Sequence, residues 1–524
     1  MGQPRLDTVT TTLERRIPRA ARSRSPLPSW TVTAAATIAV IGRLPFIGRA
    51  PSPDEAGYLL VGGHWNGSGS SLYASYWVDR PPLLVTVFKF ASSLGGVHAL
   101  RLFGCLAALA VVVGAARVTR LLAGEEASLW TAVIAAALCL SPLLGVYAVN
   151  GELLAAPFVV GGVGAVVRAI QAPERRRAMV FAAVAGVMAV CAALVKQNFV
   201  DVAVFAAVVL AISSIRREVP TRRRIDLSVA FLAGTAATLA LFAAWTAAHG
   251  TSLGGVFYAM YPFRVRAGNV IAAAGADHAS ARLYGLIGVA TTSGLLLLAL
   301  AVIGDAALRR HRGTASWSVV GLLVFAAASV LLGGSYWHHY LIGLIVPLSI
   351  AAGLLAVSRP RVVGSIVAFT VASTAIAWVG ALTLDQGSPG QSIGTSIAAA
   401  SQAGDTIVSL YGHADVVQTS GLSSPYEHLW SLPVKTLDPR LTELDSVLSG
   451  PDAPIWLVTG PSVRSWGLST QHVSATIARD YREVQTICDR SVYLRSNIQR
   501  AVPKTAPSCD GTTTAFTSIK DLLP

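Results

Sequence analysis

Over the first 383 residues, polar positions are confined to short runs that punctuate long apolar stretches. These stretches fall at 31–48, 97–121, 128–148, 151–170, 178–195, 199–215, 226–247, 284–304, 316–333, 340–357 and 362–383. A helix rises 1.5 Å per residue, so roughly 20 apolar residues cross ~30 Å of hydrocarbon. The pattern predicts a mainly α membrane protein, a bundle of about eleven transmembrane helices spanning 31–383 behind a basic tail over 1–30. After residue 384 the rhythm changes. Strand-like runs (Thr406–Tyr411, Pro454–Thr459, Ser491–Leu494) alternate with helix-like ones (Ile393–Gln402, Val473–Tyr481). That alternation predicts a small α/β domain over 384–524, with a poorly ordered end.

Composition agrees. Of 524 residues, 53% are hydrophobic and 13% charged, with a mean hydropathy of +0.57. Soluble domains carry roughly 25% charged residues, so a soluble enzyme is excluded. The net charge is +14, yet residues 385–524 hold 13 acidic and 10 basic side chains. The basic excess therefore lies in the membrane part, in loops. Eleven spans put Arg5, Arg15, Arg16, Arg19, Arg22 and Arg24, then Arg175–Arg177, Arg216, Arg217, Arg222–Arg224, Arg309, Arg310 and Arg312 on one face. Such asymmetry marks a cytoplasmic face in a cell (inner) membrane and calls for no nucleic acid. The N-terminus is then cytoplasmic and the tail domain extracytoplasmic.

The first outer loop, 49–96, includes an apolar segment from Pro81 to Gly95 that is ~22 Å long as a helix. It is too short to span and reads as an outer interfacial helix. The first apolar stretch lacks a small-x-small cleavage site and reads as an uncleaved span. Cys105, Cys139 and Cys191 lie in apolar stretches as packing residues. Cys488 and Cys509 can pair in an oxidising compartment, although spacing alone does not decide it.

This topology collects the ionisable residues at one surface, where charge near membrane depth is costly and functional by default. Asp54-Glu55 follows the first span behind Pro51 and Pro53. A carboxylate there can take a proton from an acceptor hydroxyl, or can simply belong to a helix start, since Ser52 and Asp54 are good caps. Lys196 ends an otherwise uncharged span on the outer side. It can meet a lipid-linked phosphate or merely snorkel. Arg80, Arg264 and Arg266 offer similar cations. Tyr73, Tyr76 and Trp77 read as an interfacial aromatic belt or as a sugar-site wall. His338-His339 has no ligand spacing for zinc, so no metal site is assigned.

The run SPDEAGYLLVGGHWNGSGSSLYASYWVDRPPLLVTVFKF resembles the first outer loop of GT-C glycosyltransferases, above all aminoarabinose-lipid A transferases and protein O-mannosyltransferases. The matching elements are Asp54-Glu55, Tyr58 and Asp79-Arg80-Pro81-Pro82-Leu83, followed by ALVKQNFV around Lys196, SYWHHYLIGLIVPLSIAAG around Tyr340, and AGDTIVSLYG. Those groups often carry Glu-Lys before Pro-Pro, where this chain has Asp79-Arg80. The resemblance implies a GT-C-like bundle and transfer of a sugar from a polyprenyl-phosphate donor to a hydroxyl of an extracytoplasmic glycan, lipid or protein. It implies Asp54 as general base, assisted or oriented by Glu55, with Lys196, Arg80, Arg264 and Arg266 on the donor phosphate. Tyr58, Asp79, His339 and Tyr340 would position substrate. The reading requires no cofactor and leaves a divalent metal open.

The alternative class is a transporter or flippase of a lipid-linked or anionic solute. It explains the spans and the outer cations. It leaves the Asp-Glu loop and the tail without a purpose, and transporters place ionisable groups near the middle of several spans, where this chain has almost wholly Ala, Val, Leu and Gly.

Overall fold

The computed structural model describes residues 30–273, 276–308, 313–383, 388–504 and 509. The N-terminal arginines, Arg309, Arg310 and Arg312, the side chains of Asp277 and His278, and the end of the tail after residue 509 lie outside them.

Every expected apolar stretch is helical. Seven helices are long and apolar enough to cross a bilayer: Val97–Ala123, Gly151–Gln171, Arg175–Val195, Thr221–Ala248, Thr314–Leu332, His338–Ala356 and Pro360–Thr383. An eighth crossing is a pair, Ala279–Thr292 and Leu295–Ala307, bent by 78°. The other three expected spans are shorter, at 11 residues for Thr31–Ile41, 16 for Glu125–Leu140 and 15 for Asp201–Ile215. By length and composition, seven or eight of the eleven expected helices qualify as full crossings among the described residues, and the other three are present but shorter. The shortfall has local causes. Thr31–Ile41 gives way to a 3-10 turn at Leu44–Phe46, and Glu125–Leu140 stops at Ser141, after which Pro142 opens another at Pro142–Leu144. The segment after Pro81 is the helix Pro82–Leu94, as expected.

The packing relies on small residues. A Cβ on Gly186 would lie 2.0 Å from the Phe231 carbonyl oxygen, and one on Gly234 would lie 2.1 Å from that of Ala183. These two glycines let Arg175–Val195 and Thr221–Ala248 touch backbone to backbone, the usual means of helix association without a hydrophobic driving force.

The tail folds as a four-stranded sheet, β1 (Ile407–Ser409), β2 (Trp456–Thr459), β3 (Tyr481–Ile487) and β4 (Arg490–Arg495), in the order β1-β2-β4-β3. β1 and β2 are parallel and the other pairs antiparallel. Helices Pro389–Ala400 and Gln471–Asp480 match the expected helical runs, although the second stops one residue early and its chain continues directly into β3. Cys488 and Cys509 form a disulfide, with Cα atoms 4.8 Å apart. The tail rests on the first outer loop. The Trp77 amide donates to the Glu427 carbonyl at 3.1 Å, and the Ser424 amide donates to the Tyr76 hydroxyl at 3.1 Å. The tail and the loop therefore share one end of the bundle.

Candidate active site

The helix Pro53–His64 starts with a capping box. Ser52 Oγ accepts from the Glu55 amide, and Glu55 Oε2 accepts from the Ser52 amide at 2.9 Å. This reciprocal pair satisfies two amides that the first turn would otherwise leave open. Glu55 is fully buried and also takes the Arg101 guanidinium in a fork, at 2.6 and 2.8 Å, and the Val149 amide at 2.8 Å. Its oxygens are saturated by protein donors. Glu55 thus fixes the helix start, and with it the direction of its neighbour.

That neighbour, Asp54, is differently placed. One oxygen accepts the indole N–H of Trp430, from the tail, at 2.8 Å. Asp54 makes no ion pair among the described residues. The indole fits because position 57 is glycine: a Cβ there would lie 2.3 Å from the Trp430 ring. Trp430 also packs on the Tyr58 ring, with centroids 5.1 Å apart.

The cations gather opposite. Asp79 takes Arg80 on one oxygen at 2.8 Å and Arg264 on the other at 2.7 Å. Burial pushes its acidity toward the neutral form, but the two guanidiniums outweigh that and hold its carboxyl below the usual range. Two arginines on one carboxylate leave a surplus positive charge, and Arg264 keeps a buried Nε with no hydrogen-bond partner. Arg80 lies 5.6 Å over the Tyr58 ring and faces Asp54 and Tyr340 electrostatically. Burial raises the Tyr58 phenol, which stays protonated at any physiological pH.

Lys196, at the end of Arg175–Val195, is largely buried. It pairs with Glu152, from the start of Gly151–Gln171, and sits 4.5 Å over the Tyr340 ring. His339 Nε2 lies 3.8 Å from the same Glu152 oxygen, and Arg80 and Arg264 are within electrostatic range of Lys196. The structure thus brings Asp54, Tyr58, Asp79, Arg80, Lys196, Arg264, His339 and Tyr340 to one place. Arg266 is engaged elsewhere, donating to the exposed Tyr258 hydroxyl at 2.6 Å.

Two features differ from sequence expectation. Tyr73, Tyr76 and Trp77 form neither a membrane belt nor an open sugar wall. They are buried: Tyr73 lies within the loop, packed on Trp65 and donating to the Arg80 carbonyl at 2.7 Å, Tyr76 meets the tail at the Ser424 amide, and Trp77 packs between Phe263, at 4.6 Å, and the tail's His428. Trp430, Gly57 and the Glu152 partnership were not foreseen. No local pattern near Trp430 marks it, because its partner is 376 residues away.

No family model and no curated protein sequence matches the chain. Solved structures do match. ArnT from Cupriavidus metallidurans, bound to undecaprenyl phosphate, superposes with a TM-score of 0.58 at 14% identity, covering 88% of this chain and 97% of that one. The oligosaccharyltransferase of Archaeoglobus fulgidus, in complex with Zn and sulfate, gives 0.53 at 13% identity, covering 86% and 71%. The same archaeal enzyme, AglB, with an inhibitory peptide and a dolichol-phosphate, gives 0.52 at 12% identity, covering 89% and 74%. The chain has the fold of GT-C membrane glycosyltransferases.

Proposed function

We propose that this protein is a membrane glycosyltransferase that moves a sugar from a polyprenyl-phosphate donor to a hydroxyl of an extracytoplasmic glycan, lipid or protein. The observation that carries the reading is the opposition, at one end of the bundle, of Asp54, a carboxylate without an ion pair among the described residues, to the cations Arg80, Arg264 and Lys196. The acceptor oxygen bonds to the anomeric carbon while the bond from that carbon to the phosphate oxygen breaks. Asp54 takes the hydroxyl proton, and the phosphate keeps the electron pair. Arg264 Nε and the surplus charge on the Arg80–Arg264 pair meet the growing negative charge, where fixed donors act most strongly. Lys196 joins them by exchanging Glu152 for phosphate. Tyr58, Asp79, His339 and Tyr340 hold the geometry, and Glu55 acts through the helix start. Arg266 has no place in this scheme.

Counting all eleven apolar helices as crossings, the arginine clusters favour the site and residues 384–524 on the outer side of the cell membrane and residues 1–30 on the inner side. Neighbours of the same fold that bind undecaprenyl phosphate and dolichol-phosphate support the donor class.

The test is incubation of purified protein with radiolabelled polyprenyl-phosphate sugars and a panel of acceptors. Release of free polyprenyl phosphate, lost in Asp54→Asn, is the expected result. Vesicle translocation of the intact donor without release would establish the transporter alternative instead.

A further inference from the structure

The tail segment that ends at Trp430 carries a second group of chemistry-bearing side chains, outside the proposed site. Glu427, His428 and Glu443 each point one ligand atom inward, and these atoms all lie within 4.8 Å of one another. His428 Nε2 is 3.5 Å from Glu427 Oε1 and 3.7 Å from Glu443 Oε2. Those separations exceed an ordinary N–H···O bond of roughly 2.7–3.2 Å. The two His428 separations suit ligands on one tetrahedral ion, because ligand bonds of ~2.0–2.1 Å put ligand atoms about 3.4 Å apart; the wider spread of the set, up to 4.8 Å, closes to that geometry by a turn of the half-exposed Glu443 side chain. The imidazole is 97% buried, being 3% exposed, and turns Nε2, the ring atom opposite its unpartnered Nδ1, toward both carboxylates. Glu443 stays half exposed, leaving a route for an ion and for a water as fourth ligand.

We propose that Glu427, His428 and Glu443 bind one divalent transition ion of the zinc type. The single imidazole with two carboxylates favours this class over calcium or magnesium, which take oxygen ligands. The ion would join the segment Ser424–Trp430 to the helix Thr442–Ser449. That segment is the part of the tail lying on the first outer loop. Its Glu427 carbonyl receives the Trp77 amide, the His428 ring lies 6.1 Å from the Trp77 ring, and Trp430 two residues on reaches Asp54. The ion is structural in this account and takes no part in sugar transfer.

The test uses the full chain in detergent, stripped with a chelator and titrated with Zn²⁺ alone, with calorimetry for stoichiometry and thermal unfolding for stability. One Zn²⁺ per chain and a rise in Tm on binding are expected, since an ion that binds only the folded state stabilises it. Glu443→Gln, at a half-exposed position, should weaken binding by at least about tenfold, because even outer partners of a metal are worth ~10–100-fold. His428→Gln should abolish it, and Asp54→Asn should bind as the unaltered protein does. Co²⁺ in place of Zn²⁺ should give the visible absorption of a low-symmetry four-coordinate site, reduced in Glu443→Gln. Absence of Zn²⁺ binding in the unaltered chain, or equal binding by Glu443→Gln, overturns the proposal. So does loss of binding in Asp54→Asn with retention in Glu443→Gln, which would move the ion to the other site. None of these readouts depends on transferase activity.

Discussion

Asp54 and Trp430 are 376 residues apart, yet the indole N–H of one donates to the carboxylate of the other at 2.8 Å. The tail thereby sets the direction of the group assigned as base. Trp430→Phe keeps an aromatic ring on Tyr58 and removes only the donor. A hydrogen bond to a charged group is worth ~1.5–3 kcal/mol, so turnover should fall by about 10–100-fold. Donor KM and thermal stability should stay close to the starting values. A purely structural role for Trp430 predicts a lower Tm with turnover per folded molecule intact.

Gly57 makes room for that indole. Alanine is the better helix former by ~1 kcal/mol, yet its Cβ would stand 2.3 Å from the ring. Gly57→Ala should therefore depress turnover, not raise stability. In a Trp430→Ala background the clash disappears, so the second substitution should cost almost nothing. The double-mutant cycle measures that coupling.

Asp54→Asn keeps size and removes basicity. Turnover should drop by ~10²–10⁴-fold, with donor binding and Tm held. Glu55→Gln should behave in the opposite sense. It breaks a buried fork with Arg101, and losing one partner of a buried pair costs ~3–5 kcal/mol. Tm should fall while turnover per folded molecule survives. Measuring both quantities on each preparation separates the two carboxylates, and equal loss of turnover at unchanged Tm would give Glu55 a chemical role.

Lys196→Met leaves Glu152 buried without its cation, so both donor affinity and Tm should fall. Adding Glu152→Gln removes the stranded charge, and Tm should recover while donor affinity does not. Recovery of affinity in the double variant would take Lys196 off the phosphate.

In the tail, burial first and then the Arg490 guanidinium hold the His413 imidazole down at about 4. Unfolded histidine titrates near 6.5. Between these values the unfolded chain binds the proton and the folded chain does not, so stability rises with pH across that window. The contribution is fully present above pH 6.5 and is lost as pH falls toward 4. His413 has a positive φ of 63°, which asparagine tolerates. His413→Asn should therefore fold and show a flatter Tm over pH 4–6.5, and an unchanged slope would remove His413 from the account.

Local patterns were legible in the sequence. Apolar length located the helices, and the residue types at Ser52 and Asp54 marked a helix start there, with Ser52 the cap in the structure. β3 was hidden because it lies at the sheet edge. Tyr481 and Ile487 at its two ends are buried, while Arg482, Glu483 and Thr486 are exposed, so little alternation separates it from the helix before it. The chain was read as helix up to Tyr481 for that reason. The fork of Arg101 on Glu55 and the reach of Trp430 to Asp54 depend on contacts across 46 and 376 positions. One sequence carries no pattern for either. The burial of Tyr76 was missed for the same reason, since the tail's Ser424 donates to its hydroxyl across 348 positions.

The seam between the tail and the first outer loop gives the molecule an all-or-none character. A version ending near residue 383 would not be a smaller enzyme with its accessory part trimmed away. It would strip Tyr76 and Trp77 of their tail partners, remove the lid from Asp54 and leave the groove of Gly57 vacant. Exchange of tails between relatives of this fold should therefore carry the loop along with the tail, since the two surfaces are halves of one fitted joint.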